Sequence, residues 1–115
     1  MNKTAMDAAL AVRLQSDMKT KVGACIVKGG RIIGIGCNKT GSKNGSGWSR
    51  HAEIRALLRT AAPVGGGDVY VGRVHAHTRE LLTAKPCRGC SEGLSAANVK
   101  RVYYTTPDGW KEMKL

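Results

Sequence analysis

The feature that most constrains this chain is a pair of short motifs whose side chains carry metal and proton chemistry. The first is His51-Ala52-Glu53, which reads H-x-E, and the second is Pro86-Cys87-Arg88-Gly89-Cys90, which reads P-C-x-x-C. Zinc accepts imidazole nitrogen and thiolate sulfur as ligands, and a catalytic zinc site keeps one position free for water. His51, Cys87 and Cys90 are therefore candidate ligands for one zinc ion per chain.

The spacing within the motifs predicts how these residues are held. Cys87 and Cys90 stand at positions i and i+3, so a helix that begins at Pro86 presents both sulfur atoms on one face. A helix N-terminus also favours the thiolate form that binds metal. Glu53 follows His51 within the same predicted helical turn, where its carboxylate would move protons for the water on the metal instead of binding the metal itself.

A purely structural zinc site is the alternative interpretation of these motifs. Such a site uses four protein ligands, commonly two C-x-x-C pairs or two cysteines with two histidines. The remaining cysteines, Cys25 and Cys37, fall inside predicted strands, where a free cysteine is usually a buried thiol. His75 or His77 could be an additional ligand or a substrate contact, although a histidine in such a loop is more often a surface residue. The sequence therefore favours three protein ligands and one open position.

Charge is the second strong feature of the sequence. Nineteen Lys and Arg against eight Asp and Glu give a formal net charge of +11 in 115 residues. A domain this basic usually contacts a polyanion, although a well-solvated surface is the alternative. Several cations stand in or beside the segments expected around the metal: Lys39, Lys43, Arg50, Arg79, Lys85 and Arg88.

Length and hydropathy define the class of protein. A chain of 115 residues predicts a single domain, residues 1–115. No apolar run approaches the roughly 20 residues needed to span a bilayer, and no secretory signal pattern stands at the N-terminus. We therefore expect a cytoplasmic chain with reduced thiols and no membrane partner.

Hydrophobic periodicity predicts a helix and a hairpin in the first part of the chain. The helix is expected over residues 3–19, with Thr4 and Asp7 as a capping box. Strands over residues 22–27 and 31–37 would form a hairpin through the Gly-Gly turn between them.

The second part of the chain is predicted to alternate helices and strands. A helix starting at Ser49 or Arg50 would bury one stripe of apolar residues: Ile54, Leu57, Leu58 and Ala61. A strand over 69–74 precedes the helix that begins at Pro86, and strands over 99–105 and 110–115 follow it. Because the turn at 107–109 is too short for a crossover helix, the last two strands must pair antiparallel.

Two polar, basic loops flank the motifs. Residues 38–49 form a glycine-rich loop that leads into the H-x-E motif, and residues 77–85 form a loop that leads into P-C-x-x-C. Trp48 stands three residues before His51, so its ring could stack on a base or pack against the start of the helix.

These motifs, in this order of elements, resemble the cytidine deaminase superfamily over roughly residues 20–106. The resemblance implies a three-layer α/β fold: a five-stranded mixed sheet of order 2-1-3-4-5 with three helices, and zinc between the second and third helices. It also implies that Asn38 contacts the substrate sugar and that the backbone N–H of Ala52 contacts the pyrimidine carbonyl. The segment 77–85 is longer than in many members, and Lys85 stands where many relatives carry Glu or Ser.

The resemblance implies a zinc-dependent hydrolytic deaminase, with Glu53 as the catalytic proton carrier. We expect cytosine in single-stranded nucleic acid, preferably DNA, as the substrate, with stacking on Trp48 and backbone contacts from Lys39, Arg50, Lys85 and Arg88. The alternatives are a free nucleotide such as dCMP or CMP, an adenine substrate, and a non-catalytic zinc-stabilised module that binds nucleic acid. The residues do not determine the oligomeric state, but small members of the superfamily often associate, so the resemblance is compatible with a homo-oligomer.

Overall fold

The computed structural model describes residues 1–39, 51–60 and 62–115. The described residues form three α-helices and five strands. The helices are α1 (Lys3–Val12), α2 (Ala52–Leu58) and α3 (Arg88–Ala96); the strands are β1 (Val22–Lys28), β2 (Arg31–Cys37), β3 (Asp68–Arg73), β4 (Arg101–Thr106) and β5 (Gly109–Lys114).

The strands form one sheet of order β2-β1-β3-β4-β5, which confirms the predicted topology. Only β3 and β4 pair in parallel among these strands, and the crossover between them carries α3. β4 and β5 pair antiparallel across their short turn, as the loop length required. Gly29 and Gly30 both have positive φ, 59° and 76°, which is the geometry of a tight hairpin turn between β1 and β2.

Helices cover both faces of the sheet because β1 is buried on both sides. Cys25 and Val27 point to the face covered by α1, whereas Ala24 and Ile26 point to the face covered by α2 and α3. Cys25 and Cys37 are almost completely buried, as expected for core thiols. None of the helices in the described part of the chain is long and apolar enough to cross a bilayer.

The first helix differs from its prediction at both ends. Asn2, not Thr4, is its N-cap, and the Asn2 side chain accepts a hydrogen bond of 3.0 Å from the N–H of Ala5. The α-helix ends at Val12, followed by a 3-10 turn at Arg13–Gln15, whereas the prediction continued to residue 19. The buried Ser16 stops it, because its backbone is extended and its hydroxyl accepts from the N–H of Met18.

The helices that carry the motifs are shorter than predicted. α2 begins at Ala52, with His51 as its N-cap, and ends at Leu58. Ile54 is fully buried as predicted, but Leu58 is 65% exposed because it lies at the end of the helix, beyond the sheet contact. The predicted start at residues 49–50 and the stripe residue Ala61 lie outside the described residues.

The third helix begins two residues later than predicted. Cys87 is the N-cap of α3, with extended backbone and a side chain that accepts from the N–H of Cys90. Pro86 therefore precedes the cap instead of occupying the first helical position. The thiol of Cys87 performs the capping that the prediction had not assigned to any residue.

Gly36 provides a test of how α2 is held against the sheet. A Cβ atom at Gly36 would lie 2.4 Å from the backbone nitrogen of Ala56, and backbone atoms of a packed helix cannot move aside. We expect Gly36→Ala to lower the free energy of unfolding by about 3 kcal/mol through overpacking. Urea denaturation of the zinc-loaded protein measures this change.

Gly65→Ala is the matched control for that substitution. A Cβ there would meet nothing nearer than the Cβ of Asn98 at 3.7 Å. Its unfolding free energy should therefore change by less than about 1 kcal/mol. Equal stability of the two variants would contradict the close approach of β2 and α2.

Candidate metal centre and substrate pocket

The start of α2 and the start of α3 lie at the same end of the sheet, and this places three metal-binding side chains together. The ligand atoms of His51, Cys87 and Cys90 all lie within 4.8 Å of one another. The Nδ1 atom of His51 is 3.0 Å from the Sγ atom of Cys90 and 3.6 Å from the Sγ atom of Cys87. The structure thus brings the three predicted ligands to a single point.

The surroundings of this cluster fit a catalytic metal site better than a structural one. One imidazole nitrogen and two sulfur atoms form a donor set that zinc accepts, with a position left for water or substrate. Cys90 is fully buried, whereas His51 and Cys87 are exposed, so the cluster is closed on the core side and open on the other. Within the described residues, no fourth His, Cys, Asp or Glu joins the group.

Burial controls the protonation of the thiols when no metal is present. Burial, followed by the nearby charges of Glu53 and Cys87, raises the pKa of the Cys90 thiol well above its ordinary value. A coordinating metal deprotonates such a thiol outright. Metal binding at this site should therefore release protons.

Glu53 lies beside the three candidate ligands but is not a member of their cluster. Its side chain is 5% exposed, and burial raises the pKa of the carboxyl group. A backbone hydrogen bond, the charge of His51 and a hydrogen bond with Cys90 oppose that rise. A bound dication would lower the pKa further. The result is a carboxyl group whose proton affinity is adjusted by its surroundings, as a proton-transfer group requires.

A pocket of about 440 Å³ opens in front of these residues, which is within the size range of small-molecule sites. Its walls come from the end of the sheet, the starts of both motif helices and the segment before Cys87. The described residues that line it are Met18, Thr20, Val22, Asn38, His51, Ala52, Glu53, Val71, Arg73, Thr83, Ala84, Lys85 and Cys87.

Two of the predicted substrate contacts, Asn38 and Ala52, line the pocket. The side chain of Asn38 already makes hydrogen bonds within the protein. The Asn38 side chain accepts from the N–H of Val22 at 2.9 Å and donates to the carbonyl of Thr20 at 2.6 Å. It therefore fixes the segment that enters β1, and only its second N–H and the second lone pair of its oxygen are left for a ligand in the pocket. Ala52 is buried at the first turn of α2. Their contacts with a substrate remain predictions.

Arg73 is a pocket residue that the sequence analysis missed. It is the last residue of β3 and lines the pocket, and its Nε atom is buried without a hydrogen-bond partner among the described residues. Buried polar nitrogens are nearly always paired, so an unpaired one in a pocket indicates a place for a ligand acceptor. The available signal was its position at the carboxyl end of a parallel strand, the edge where α/β proteins bind ligands.

Thr105 fixes the segment that leads into the second motif. Its hydroxyl accepts from the N–H of Arg73 at 3.1 Å and donates to the carbonyl of Leu82 at 2.7 Å. The N–H of Leu82 also bonds the carbonyl of Arg73, and the N–H of Ala84 bonds the carbonyl of Thr105. These contacts hold residues 82–84 across the ends of β3 and β4, so that Lys85 reaches the pocket wall.

Most of the other predicted substrate contacts either lie away from the pocket or fall outside the described residues. Lys39 donates to the carbonyl of Gln15 at 2.5 Å and does not line the pocket. Arg88 forms an exposed ion pair of 3.0 Å with Glu92 along α3, also away from the pocket wall. Trp48 and Arg50 lie outside the described residues. Of the predicted cations, the structure brings Lys85 to the pocket.

Replacing one ligand tests the metal centre. Cys87→Ser removes a sulfur ligand but keeps a side chain that can cap α3, so the fold should survive. We expect the zinc content to fall from about one ion per chain to a small fraction of it, because two protein ligands hold zinc weakly. Elemental analysis after gel filtration gives the zinc-to-protein ratio.

Cys25→Ala is the cysteine control for that experiment. Cys25 is completely buried in the core on the α1 side of the sheet, away from the cluster of His51, Cys87 and Cys90. The Cys25→Ala variant should keep its zinc. Equal zinc content in the two variants would exclude Cys87 as a ligand.

Several known proteins are similar to this chain in sequence or in structure. The chain is 30% identical over 92 residues to the tRNA-specific adenosine deaminase of Agrobacterium fabrum. The aligned region covers 76% of this chain and 52% of that protein. This chain thus spans about half the length of that curated relative. The dCMP deaminase of cyanophage S-TIM5 superposes with a TM-score of 0.66 at 29% identity, covering 90% of this chain and 80% of that one.

A second solved structure supports the fold, and a match to a family model identifies the family. The cytidine deaminase of Burkholderia pseudomallei superposes with a TM-score of 0.71, covering 99% of this chain and 92% of the other; at 20% identity this shows the fold alone. Residues 1–106 match the family described as the cytidine and deoxycytidylate deaminase zinc-binding region. With its motif residues gathered at one open pocket, the chain belongs to this family of zinc-dependent deaminases.

Proposed function

We propose that the chain hydrolyses the exocyclic amine of cytosine, converting it to uracil, and that its substrate is single-stranded nucleic acid. The observation that carries the deaminase assignment is the buried carboxyl of Glu53 beside the cluster of His51, Cys87 and Cys90, at the wall of an open pocket. A non-catalytic zinc module would not need a buried carboxyl group there, because burying one without a task costs stability.

Each residue of the site has a role in this reaction. His51, Cys87 and Cys90 would hold zinc, which when bound supplies a water activated for attack at neutral pH. Glu53 accepts the proton of that water and delivers it to N3 of the ring as oxygen adds to C4. Glu53 then takes the proton of the new C4 hydroxyl and passes it to the amine. The C4–N bond breaks as the C4 carbonyl forms, so that water and cytosine yield uracil and ammonia.

The pocket walls fit a nucleotide with its phosphate. Val22, Val71 and Ala84 provide apolar surface for the base. Arg73 and Lys85 add two cationic side chains, and Glu53 is the only acidic residue among the described ones that line the pocket. The unpaired Nε of Arg73 supports an anionic ligand group at that wall.

The charge of the whole chain favours a polymer over a single nucleotide. One phosphate needs one or two cations, and the pocket already contains them, whereas the formal net charge is +11. Uncompensated positive charge on this scale attracts polyanions and increases their association rate. A relative at 30% identity is named for a tRNA substrate, which also supports a polymer.

A free nucleotide, dCMP or CMP, is the second candidate. The pocket volume of about 440 Å³ suffices for one nucleotide. The S-TIM5 protein is named a dCMP deaminase, and its structure has been solved with dCMP and dUMP. An adenine substrate has the support of the relative named an adenosine deaminase.

Glu53→Gln tests the role of the carboxyl group. The amide keeps the size of the side chain but cannot accept a proton, so we expect turnover to fall by about 10²–10⁴-fold while zinc content stays unchanged. Uracil or ammonia release measures the rate. Glu92→Gln, an exposed carboxylate on α3, is the control and should retain the parent rate. Undiminished turnover in Glu53→Gln would end this assignment.

A direct comparison of substrates tests the choice of polymer. Uracil formation is measured with cytosine-containing single strands, the same sequences as duplexes, and dCMP or CMP. Single strands should be the best substrates, because a paired base must first leave the stack. Their kcat/KM should fall steeply between low and physiological salt, with a slope of about −0.7 per phosphate contact. Higher kcat/KM for the mononucleotides, with a flat salt profile, would reverse the order of the two candidates.

A further inference from the structure

A second cleft of about 420 Å³ lies outside the proposed catalytic pocket. The chain that follows α1 forms one wall of this cleft, and the loop that follows β3 forms the other. Its described lining includes four Lys or Arg side chains and two histidines: Arg13, Lys19, Lys21, His75, His77 and Arg79. We call it the basic cleft.

The basic cleft and the catalytic pocket are neighbours. Thr20 lines both of them. On one side Met18 lines the pocket and Lys19 the cleft; on the other, Arg73 lines the pocket and Val74 the cleft. A chain of nucleotides with one base in the pocket could therefore continue along residues 18–21 into the cleft.

One wall of the basic cleft is a loop that is ordered by its own hydrogen bonds. The backbones of Val74 and Leu81 form a β-bridge, and the N–H of His75 bonds the carbonyl of Glu80 at 2.8 Å. The N–H of Arg79 bonds the carbonyl of His75, and the φ of Arg79 is 61°. The Nδ1 atom of His75 also accepts two backbone N–H groups at 3.2 Å. These bonds fix the loop in place before any ligand binds.

The charges of the cleft are not neutralised within its walls. None of the described residues that line it is acidic; Asp17 and Glu80 are near in sequence but do not line it. Lys21 donates to the carbonyl of Ser16, and Arg13 to the carbonyl of Leu10, so both bond uncharged partners. Cations gathered in a concave surface repel one another and lower their energy when an anion enters.

We propose that the basic cleft binds the sugar-phosphate backbone of nucleotides that flank the target base in a single strand. Arg73 and Lys85 line the catalytic pocket and would bind one phosphate there, so the cleft would supply cations for further phosphates along the strand. The substrate part of this inference rests on the proposed function. A free nucleoside triphosphate offers the same phosphate chemistry, and the experiment separates the two sources.

The first experiment measures binding by the full, zinc-loaded chain. The probe is a fluorescein-labelled single strand of deoxythymidine, which contains no cytosine and so reports binding without turnover. We expect Lys19→Glu with Arg79→Glu to weaken binding at least about tenfold and to reduce the salt slope by about 0.7 for each phosphate that the variant no longer neutralises. Arg31→Glu with Lys111→Glu makes the same change in charge on exposed positions of the edge strands β2 and β5.

Comparison of the two double variants decides the binding result. The edge-strand control should lose much less affinity than the cleft variant. Equal affinities would overturn the proposal, because the effect would then come from total charge. If charge reversal at residues 19 and 79 impairs folding, as thermal melting would show, Lys19→Gln alone replaces it and should still weaken binding more than Lys111→Gln.

The second experiment separates a polymer from a free triphosphate. The cleft variant should deaminate CMP at the parent rate, with kcat/KM for a cytosine-containing strand lowered at least about tenfold mainly through KM. If ATP bound the parent more tightly than the thymidine strand, and strand affinity survived the charge reversal, the proposal would be overturned. If no substrate yields uracil, the proposed function fails, yet the affinity for the thymidine strand still tests the cleft.

Discussion

The structure depends on one geometric constraint: a nitrogen atom and two sulfur atoms from distant parts of the chain must lie within 4.8 Å of one another. The parallel pairing of β3 and β4 places the two sulfur atoms, because the crossover between these strands returns α3 to the end of the sheet where α2 begins. The absence of a side chain at Gly36 helps to place the imidazole nitrogen of His51, because it lets α2 approach β2 closely. The ligands then lie at helix starts, where the backbone changes direction and leaves an open side.

Sequence reasoning predicted the parts of the molecule that depend on local chemistry or on family resemblance. The motif residues His51, Cys87 and Cys90 were found because metal ligands are recognisable by type and order, and the structure gathers them. The hairpin was predictable because two glycines adopt positive φ between apolar runs. The strand order came from the resemblance and is confirmed.

Most of the features that were missed depend on contacts that residue type and periodicity do not report. An arginine with an unpaired nitrogen, such as Arg73, is recognised only when its neighbours are known. The capping role of Cys87 depends on one hydrogen bond to the N–H of Cys90. The end of α1 was missed because Ser16 is buried and extended, which its residue type alone does not indicate. The basic cleft joins residues 13–21 to residues 74–79, and no local pattern relates these segments.

The β-bridge between Val74 and Leu81 has a consequence for how such proteins diversify. It closes residues 75–80 into a separate loop, while Thr105 holds residues 82–84 independently. Insertions, deletions or exchanges within the loop would therefore not displace the cysteines that follow. Under the proposed function, changes in the reach and charge of this loop would alter the range of substrates while the cluster of His51, Cys87 and Cys90 stays in place. The extra length before the second motif would then be the variable module of an otherwise fixed catalyst.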